Sequence, residues 1–207
     1  MPKIKICGLK RVDDIKYVNE LMPDFIGFVF AGTKRKIDFD TAFKLKKMLN
    51  PDIKSVGVFV NENPENIIYL ANENIINLIQ LHGDEDEKYI RNLKKETDKK
   101  IIKAVRVKSK EDILNADNSL ADYLLLDTFA KGEYGGTGVA FDHSIIPDIK
   151  HRYFLAGGIG IENIHKVISD SNAYCIDVSS LVETDGVKDF NKIKSIIDVV
   201  RNRKDLT

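Results

Sequence analysis

The chain has 207 residues, 43% of them hydrophobic and 31% charged, a composition that suits one globular domain and gives no support to a disordered, collagen-like or membrane protein. Its 32 basic and 32 acidic side chains balance, so no overall field draws the molecule to nucleic acid or to an anionic membrane, and a small-molecule partner is expected. No apolar run nears the ~20 residues of a membrane helix, and the first strand-like segment begins at Lys3 with no room for a signal peptide, so the expected setting is cytoplasmic, as a monomer or a homodimer.

Apolar strand-like runs recur at Lys3 to Cys7, Phe25 to Phe30, Ser55 to Val60, Asn77 to Leu81, Ile101 to Val107, Tyr123 to Asp127, Tyr153 to Ala156 and Tyr174 to Val178. Between them, apolar positions at helical spacing mark Val12 to Leu21, Phe39 to Leu49, Glu65 to Asn72, Asp86 to Lys95, Ile161 to Ile168 and Phe190 to Val200. Strict alternation of strand and helix implies a parallel sheet with helical crossovers. Eight such units in one short chain predict an α/β fold, a single (β/α)8 TIM barrel over 1–207, with an open doubly wound sheet as the alternative. The sixth unit is the weakest, with a long loop and only a short helix expected near Asp142 to Ile145.

In such a barrel the loops that follow the strands form the active face, so polar residues at strand carboxyl ends carry the most functional weight. Strand one ends in KICGL, and period-two alternation sets Lys5 and Cys7 on the face opposite Ile4 and Ile6. If the isoleucines meet the helices, Cys7 points into the mouth. A free cysteine is more often a small core hydrophobe than a nucleophile or base, and Lys5 is at least as easily an inward lysine paired with a carboxylate such as Asp177. Cys7 and Cys175 are the only cysteines and lie outside metal-ligand spacing, so neither a disulfide nor a metal site is expected.

In QLHG, Gln80 and His82 share a face, either as polar filling or as substrate contacts. Asp127 ends the buried-type run YLLLDT, where it is either a turn residue or a functional carboxylate. The glycine-dense GEYGGTG after it, LAGGIG after strand seven and DVSS at the end of strand eight offer backbone N–H groups for a phosphate. TKRKI after strand two is a solvated charge run or presents Arg35 to an anionic group.

KICGL, KRKI, VGVF, QLHG, LLLDT, GGTG, LAGGI and DVSS, in this order and spacing through essentially the whole chain, closely resemble the phosphoribosylanthranilate isomerase family. The resemblance implies a cofactor-free (β/α)8 barrel of tryptophan biosynthesis. Its reaction is an Amadori rearrangement of N-(5-phosphoribosyl)anthranilate to 1-(2-carboxyphenylamino)-1-deoxyribulose 5-phosphate. By that resemblance Asp127 matches the acid and Cys7 the base, Arg35 faces the anthranilate carboxylate, Asp177 is an inward carboxylate near the sugar, and His82 is taken as a substrate contact. Gly136, Thr137, Gly157, Gly158, Ser179 and Ser180 surround the phosphate. The acid-base pair works if cations near Cys7 lower its thiol pKa.

Leu181 departs from the family's usual glycine after DVSS. It is expected to weaken phosphate binding, through backbone strain or by crowding, unless it turns outward. Other readings left open are a related phosphosugar isomerase, a lyase using Lys103 as a Schiff base, and a barrel that only binds a phosphorylated ligand.

Overall fold

The computed structural model describes residues 1–128 and 145–202. Eight strands close a parallel barrel in sequence order: β1 (Lys3–Cys7), β2 (Phe25–Val29), β3 (Lys54–Phe59), β4 (Leu78–Leu81), β5 (Lys100–Val107), β6 (Tyr123–Thr128), β7 (Tyr153–Leu155) and β8 (Cys175–Val178). Ladder pairing of β1 with β8, Lys5 opposite Asp177, completes the circle. The described helices are α1 (Val12–Leu21), α2 (Phe39–Met48), α3 (Pro64–Asn72), α4 (Glu87–Glu96), α5 (Lys110–Ala116), α6 (Ile164–Asp170) and α7 (Phe190–Arg201). None is long and apolar enough to cross a membrane.

Two layers of apolar packing follow from the strand alternation. Ile4, Ile6, Ile26, Phe28, Phe59, Ile79, Leu124, Leu126 and Ile176 point outward into a continuous core with the helices. Phe25, Val56, Leu78, Ile102, Leu125, Phe154 and Cys175 fill the barrel interior. Cys175 is thus a core hydrophobe. Side-chain caps set the entry of several helices: Asp38, Asn63, Asp86 and Asp189 each accept a hydrogen bond from a backbone N–H in the first turn they precede.

Three local differences from the sequence reading have physical causes. Helix α5 has only one buried side chain, Ile113, so its apolar periodicity is too sparse to detect; its start is marked instead by a capping box between Ser109 and Asp112. Helix α6 begins at Ile164, because the chain from Gly160 to Asn163 is taken up by a turn in which Gly160 N–H donates to Asn163 Oδ1 at 2.9 Å. After β8 the chain forms a hairpin of β9 (Glu183–Thr184) and β10 (Val187–Lys188) around Asp185 and Gly186, both at positive φ, as a two-residue Asp-Gly turn requires. The helix expected near Asp142 to Ile145 lies mostly outside the described residues.

Candidate active site

At the carboxyl ends of the strands a cavity of about 730 Å³ is lined by Cys7, Arg35, Gln80, His82, Asp127 and Asp177, together with the backbone after β7 and β8. Cys7 ends β1 and faces inward because Ile4 and Ile6 are taken by the outer core. Asp127 is the next inward position above Leu125 on β6, and His82 directly follows β4. Gly157 and Gly158 follow β7 with positive φ of 88° and 63°, a conformation glycine adopts without strain, and both line the cavity. Ser179 and Ser180 complete that wall; Gly136 and Thr137 lie outside the described residues.

Below the cavity sits a buried polar layer. Lys5 Nζ, wholly buried, donates to Asp177 Oδ2 at 2.7 Å and to Gln80 Oε1 at 2.8 Å. Burial is the largest influence and works against the ammonium, but Asp177 together with Cys7 and Cys175 outweighs it and holds the Lys5 pKa above its ordinary value. Burial likewise lifts Asp177, with Lys5 pulling it back. Lys5 is therefore the inward, carboxylate-paired lysine.

The thiol does not follow the expected lowering. Burial is the largest influence on Cys7 and raises its pKa, with Lys5 and Lys188 pulling down and Asp177 pushing up. The expectation counted nearby cations but not the loss of solvent, which disfavours any anion in this position.

Arg35 is held by a residue the sequence reading did not single out. Its Nε and Nη2 donate to Glu183 Oε1 and Oε2 at 2.8 and 2.9 Å, a side-on bidentate pair. Glu183 also receives Lys188 Nζ at 2.7 Å, and Lys188 Nζ donates to Ser179 O at 3.0 Å. Against the burial that would raise it, Arg35 and Lys188 hold the Glu183 carboxyl below its ordinary value. The Asp-Gly turn in TDG was the legible signal, since it places Glu183 and Lys188 opposite each other.

Leu181 takes the outward course. It lies in a short 3-10 turn, Ser180–Val182, has no positive φ, is 43% exposed and does not line the cavity. Its side chain covers Gly160, where an added Cβ would come within 2.9 Å of Leu181 Cβ. Neither strain nor crowding of the cavity follows, and the case for a mere binding barrel loses its motive. Lys103 is also removed as a Schiff-base candidate: it pairs with Glu85 at 2.9 Å, donates to Gly83 O at 2.8 Å and does not line the cavity.

A different end of the barrel carries a second cavity of about 460 Å³, lined by segments that precede β7 and β8, including His151, Arg152 and Tyr174. No cluster among the described residues could hold a metal ion.

Residues 4–199 match the family described as N-(5'-phosphoribosyl)anthranilate (PRA) isomerase. The chain belongs to the phosphoribosylanthranilate isomerase family. It is 49% identical over 202 residues to the N-(5'-phosphoribosyl)anthranilate isomerase of Endomicrobium trichonymphae, covering 98% of this chain and 100% of that one. Among solved structures, it superposes on the isomerase from Thermus thermophilus with a TM-score of 0.85 at 28% identity, covering 99% and 100% of the two chains. A phosphoribosyl anthranilate isomerase in complex with reduced 1-(o-carboxyphenylamino)-1-deoxyribulose 5-phosphate gives 0.79 at 33% identity, covering 96% and 97%.

Within this family member, Gly27 on β2 is the neighbour that leaves room for the thiol: a Cβ there would stand 2.6 Å from Cys7 Sγ. Gly27→Ala is expected to displace the sulfur and, if Cys7 takes part in the reaction, to lower kcat by about tenfold to a hundredfold, the scale of a small misplacement of a reacting group. Steady-state kinetics beside a thermal melt would check it; unchanged kcat would show that Cys7 Sγ has no fixed position to protect.

Proposed function

We infer that this isomerase performs the Amadori rearrangement of N-(5'-phosphoribosyl)anthranilate in tryptophan biosynthesis with Asp127 as general acid and Cys7 as general base. The observation that carries the assignment is that these two groups, from β6 and β1, line one cavity at the strand ends above a fixed polar layer. The whole chain, 1–207, acts in this reading as one catalytic domain, in the cytoplasm and on a small-molecule substrate.

In the first step Asp127 gives its proton to the ribose ring oxygen. The C1′–O bond breaks toward that oxygen, and the amine lone pair forms the C1′=N iminium. In the second, Cys7, once its own thiol proton has passed to water in the cavity, takes the C2′ proton as thiolate. The C2′–H electrons form C1′=C2′, and the iminium pair returns to nitrogen, giving an enol that tautomerises to the ketone product. The buried thiol and the iminium fit each other. Burial disfavours the thiolate in the free site, and the cation formed in the first step supplies the positive charge that favours it in the second.

Arg35 supports recognition of the anthranilate carboxylate. With Nε and Nη2 held side-on by Glu183, the end of the guanidinium, Nη1 with the second hydrogen of Nη2, remains a fork suited to a carboxylate. Gly157, Gly158, Ser179 and Ser180, with Gly136 and Thr137, are assigned to the phosphate.

The activity is tested by generating the labile substrate in place and following loss of anthranilate-type fluorescence. In that assay Arg35→Met is expected to raise KM by about tenfold or more, the scale of a lost charge-assisted hydrogen-bonded pair, with a smaller change in kcat. An unchanged KM would return Arg35 to a structural partner of Glu183.

A further inference from the structure

The hydrogen bonds beneath the cavity fix more than the position of Lys5. An ammonium has no acceptor, so Lys5 Nζ at 2.8 Å can only meet the oxygen of Gln80, which turns the amide nitrogen the other way. That nitrogen lies 2.9 Å from His82 Nδ1. An amide NH2 only donates, so Nδ1 must accept, and the ring carries its proton on Nε2. Nε2 in turn stands 3.3 Å from Asp127 Oδ2, close to it but without hydrogen-bond geometry, and is a buried nitrogen with no hydrogen-bond partner among the described residues. His82 and Gln80 are both buried, 8% and 2% exposed, so water does not compete freely for either end of the relay.

We propose that His82 is a positioning residue for the general acid: the relay from Lys5 through Gln80 locks its tautomer so that a protonated, unpartnered Nε2 is kept beside Asp127 Oδ2. The proposal rests on the reading of Asp127 as the acid. When Asp127 gives its proton to the ribose ring oxygen, an anion is left in a largely enclosed site. The Nε2–H donor, unpartnered in the free site, then has a carboxylate to bond to, a gain realised after the ground state. Asp177 is the far end of the same chain, since it fixes Lys5 at 2.7 Å from the neighbouring strand β8. The run of groups Asp177, Lys5, Gln80, His82 and Asp127 thus spans the mouth from β8 through β1 and β4 to β6.

The first measurement is the nitrogen-15 chemical-shift pattern of His82 in the wild-type enzyme, assigned by its loss in His82→Leu or, should that variant not fold, in His82→Gln. The expected pattern is a bare Nδ1 and a protonated Nε2. In Gln80→Met the pattern is expected to become a mixture of tautomers. A protonated Nδ1 in the wild type, or an unchanged pattern in Gln80→Met, overturns the relay whatever Asp127 does.

The second measurement is kinetic. His82→Leu is expected to lower kcat about tenfold to a hundredfold, the scale of a hydrogen bond to a charged group, with KM changed less than about threefold on that scale. His82→Gln, which can place an N–H near the Nε2 position, is expected to recover most of kcat. Equal loss in the two variants, or a loss confined to KM, would make His82 a packing or substrate-contact residue. Near-wild-type turnover of Asp127→Asn would instead overturn the acid assignment, and the tautomer result would still stand on its own.

Discussion

Cys7→Ser and Asp127→Asn are each expected to lower kcat by about 10² or more, the usual scale for loss of a general acid or base, while the folded barrel keeps its stability. Serine preserves the shape of the thiol but ionises far less readily, and asparagine preserves the hydrogen-bonding outline of the carboxyl without a proton to give to the ring oxygen. Both positions end strands whose outward neighbours, Ile4, Ile6, Leu124 and Leu126, carry the packing, so the substitutions leave the core untouched. The losses should be non-additive in the double variant if the two groups serve one reaction. Fluorescence turnover with denaturant melts of each variant decides the matter: a well-folded variant with near-wild-type kcat removes its residue from the chemistry.

The raised thiol of Cys7 adds a sign to that expectation. Because burial pushes its pKa up, the free enzyme binds the thiol proton more tightly than an unfolded chain does. Its contribution to stability is present below the unfolded thiol pKa and is lost as pH rises through the folded one. Thiolate ultraviolet absorbance of the free enzyme should accordingly appear at higher pH than in the denatured chain. Appearance at lower pH would mean that Lys5 and Lys188 outweigh burial after all.

Lys5→Met is expected to destabilise the protein by about 3–5 kcal/mol, the range for removing one member of a buried ion pair and stranding the other. Both partners qualify: Lys5 is 0% and Asp177 7% exposed, with 2.7 Å between Nζ and Oδ2. The companion variant Lys5→Met with Asp177→Leu separates a lost charge pair from lost packing. With no carboxylate left to strand, it should regain most of the stability, since apolar groups of similar volume replace buried pairs at little cost. Urea unfolding with an unchanged m-value is the measurement. A double variant as unstable as Lys5→Met alone would show that shape, not charge, is what Lys5 contributes.

Much of this molecule was legible in its residues for a definite reason. Strand alternation is a local property, so the sorting of Ile4 and Ile6 outward and Lys5 and Cys7 inward needed only period two. The strand–helix order then required parallel strands with crossovers, and eight units close a circle. Site residues at strand ends followed from the same logic, which is why Cys7, His82, Arg35, Asp127 and Asp177 line one cavity.

What the residues could not show depends on distance through space. Glu183 lies 148 positions from Arg35, and only closure of β8 onto β1 brings the hairpin after β8 against the loop after β2. The outward turn of Leu181 depended on Gly160, in the neighbouring loop after β7. The direction of the Cys7 pKa turned on how completely the barrel strips water from the thiol, and a count of neighbouring charges along the chain contains no such term. The sequence by itself determined the barrel, its inner and outer faces and the residues at its mouth, because these follow from short-range periodicity. Only the tertiary structure decided which of those residues hold one another, and in which direction burial moves the Cys7 and Asp177 pKa, because that is settled by burial and by contacts between strands far apart in the chain.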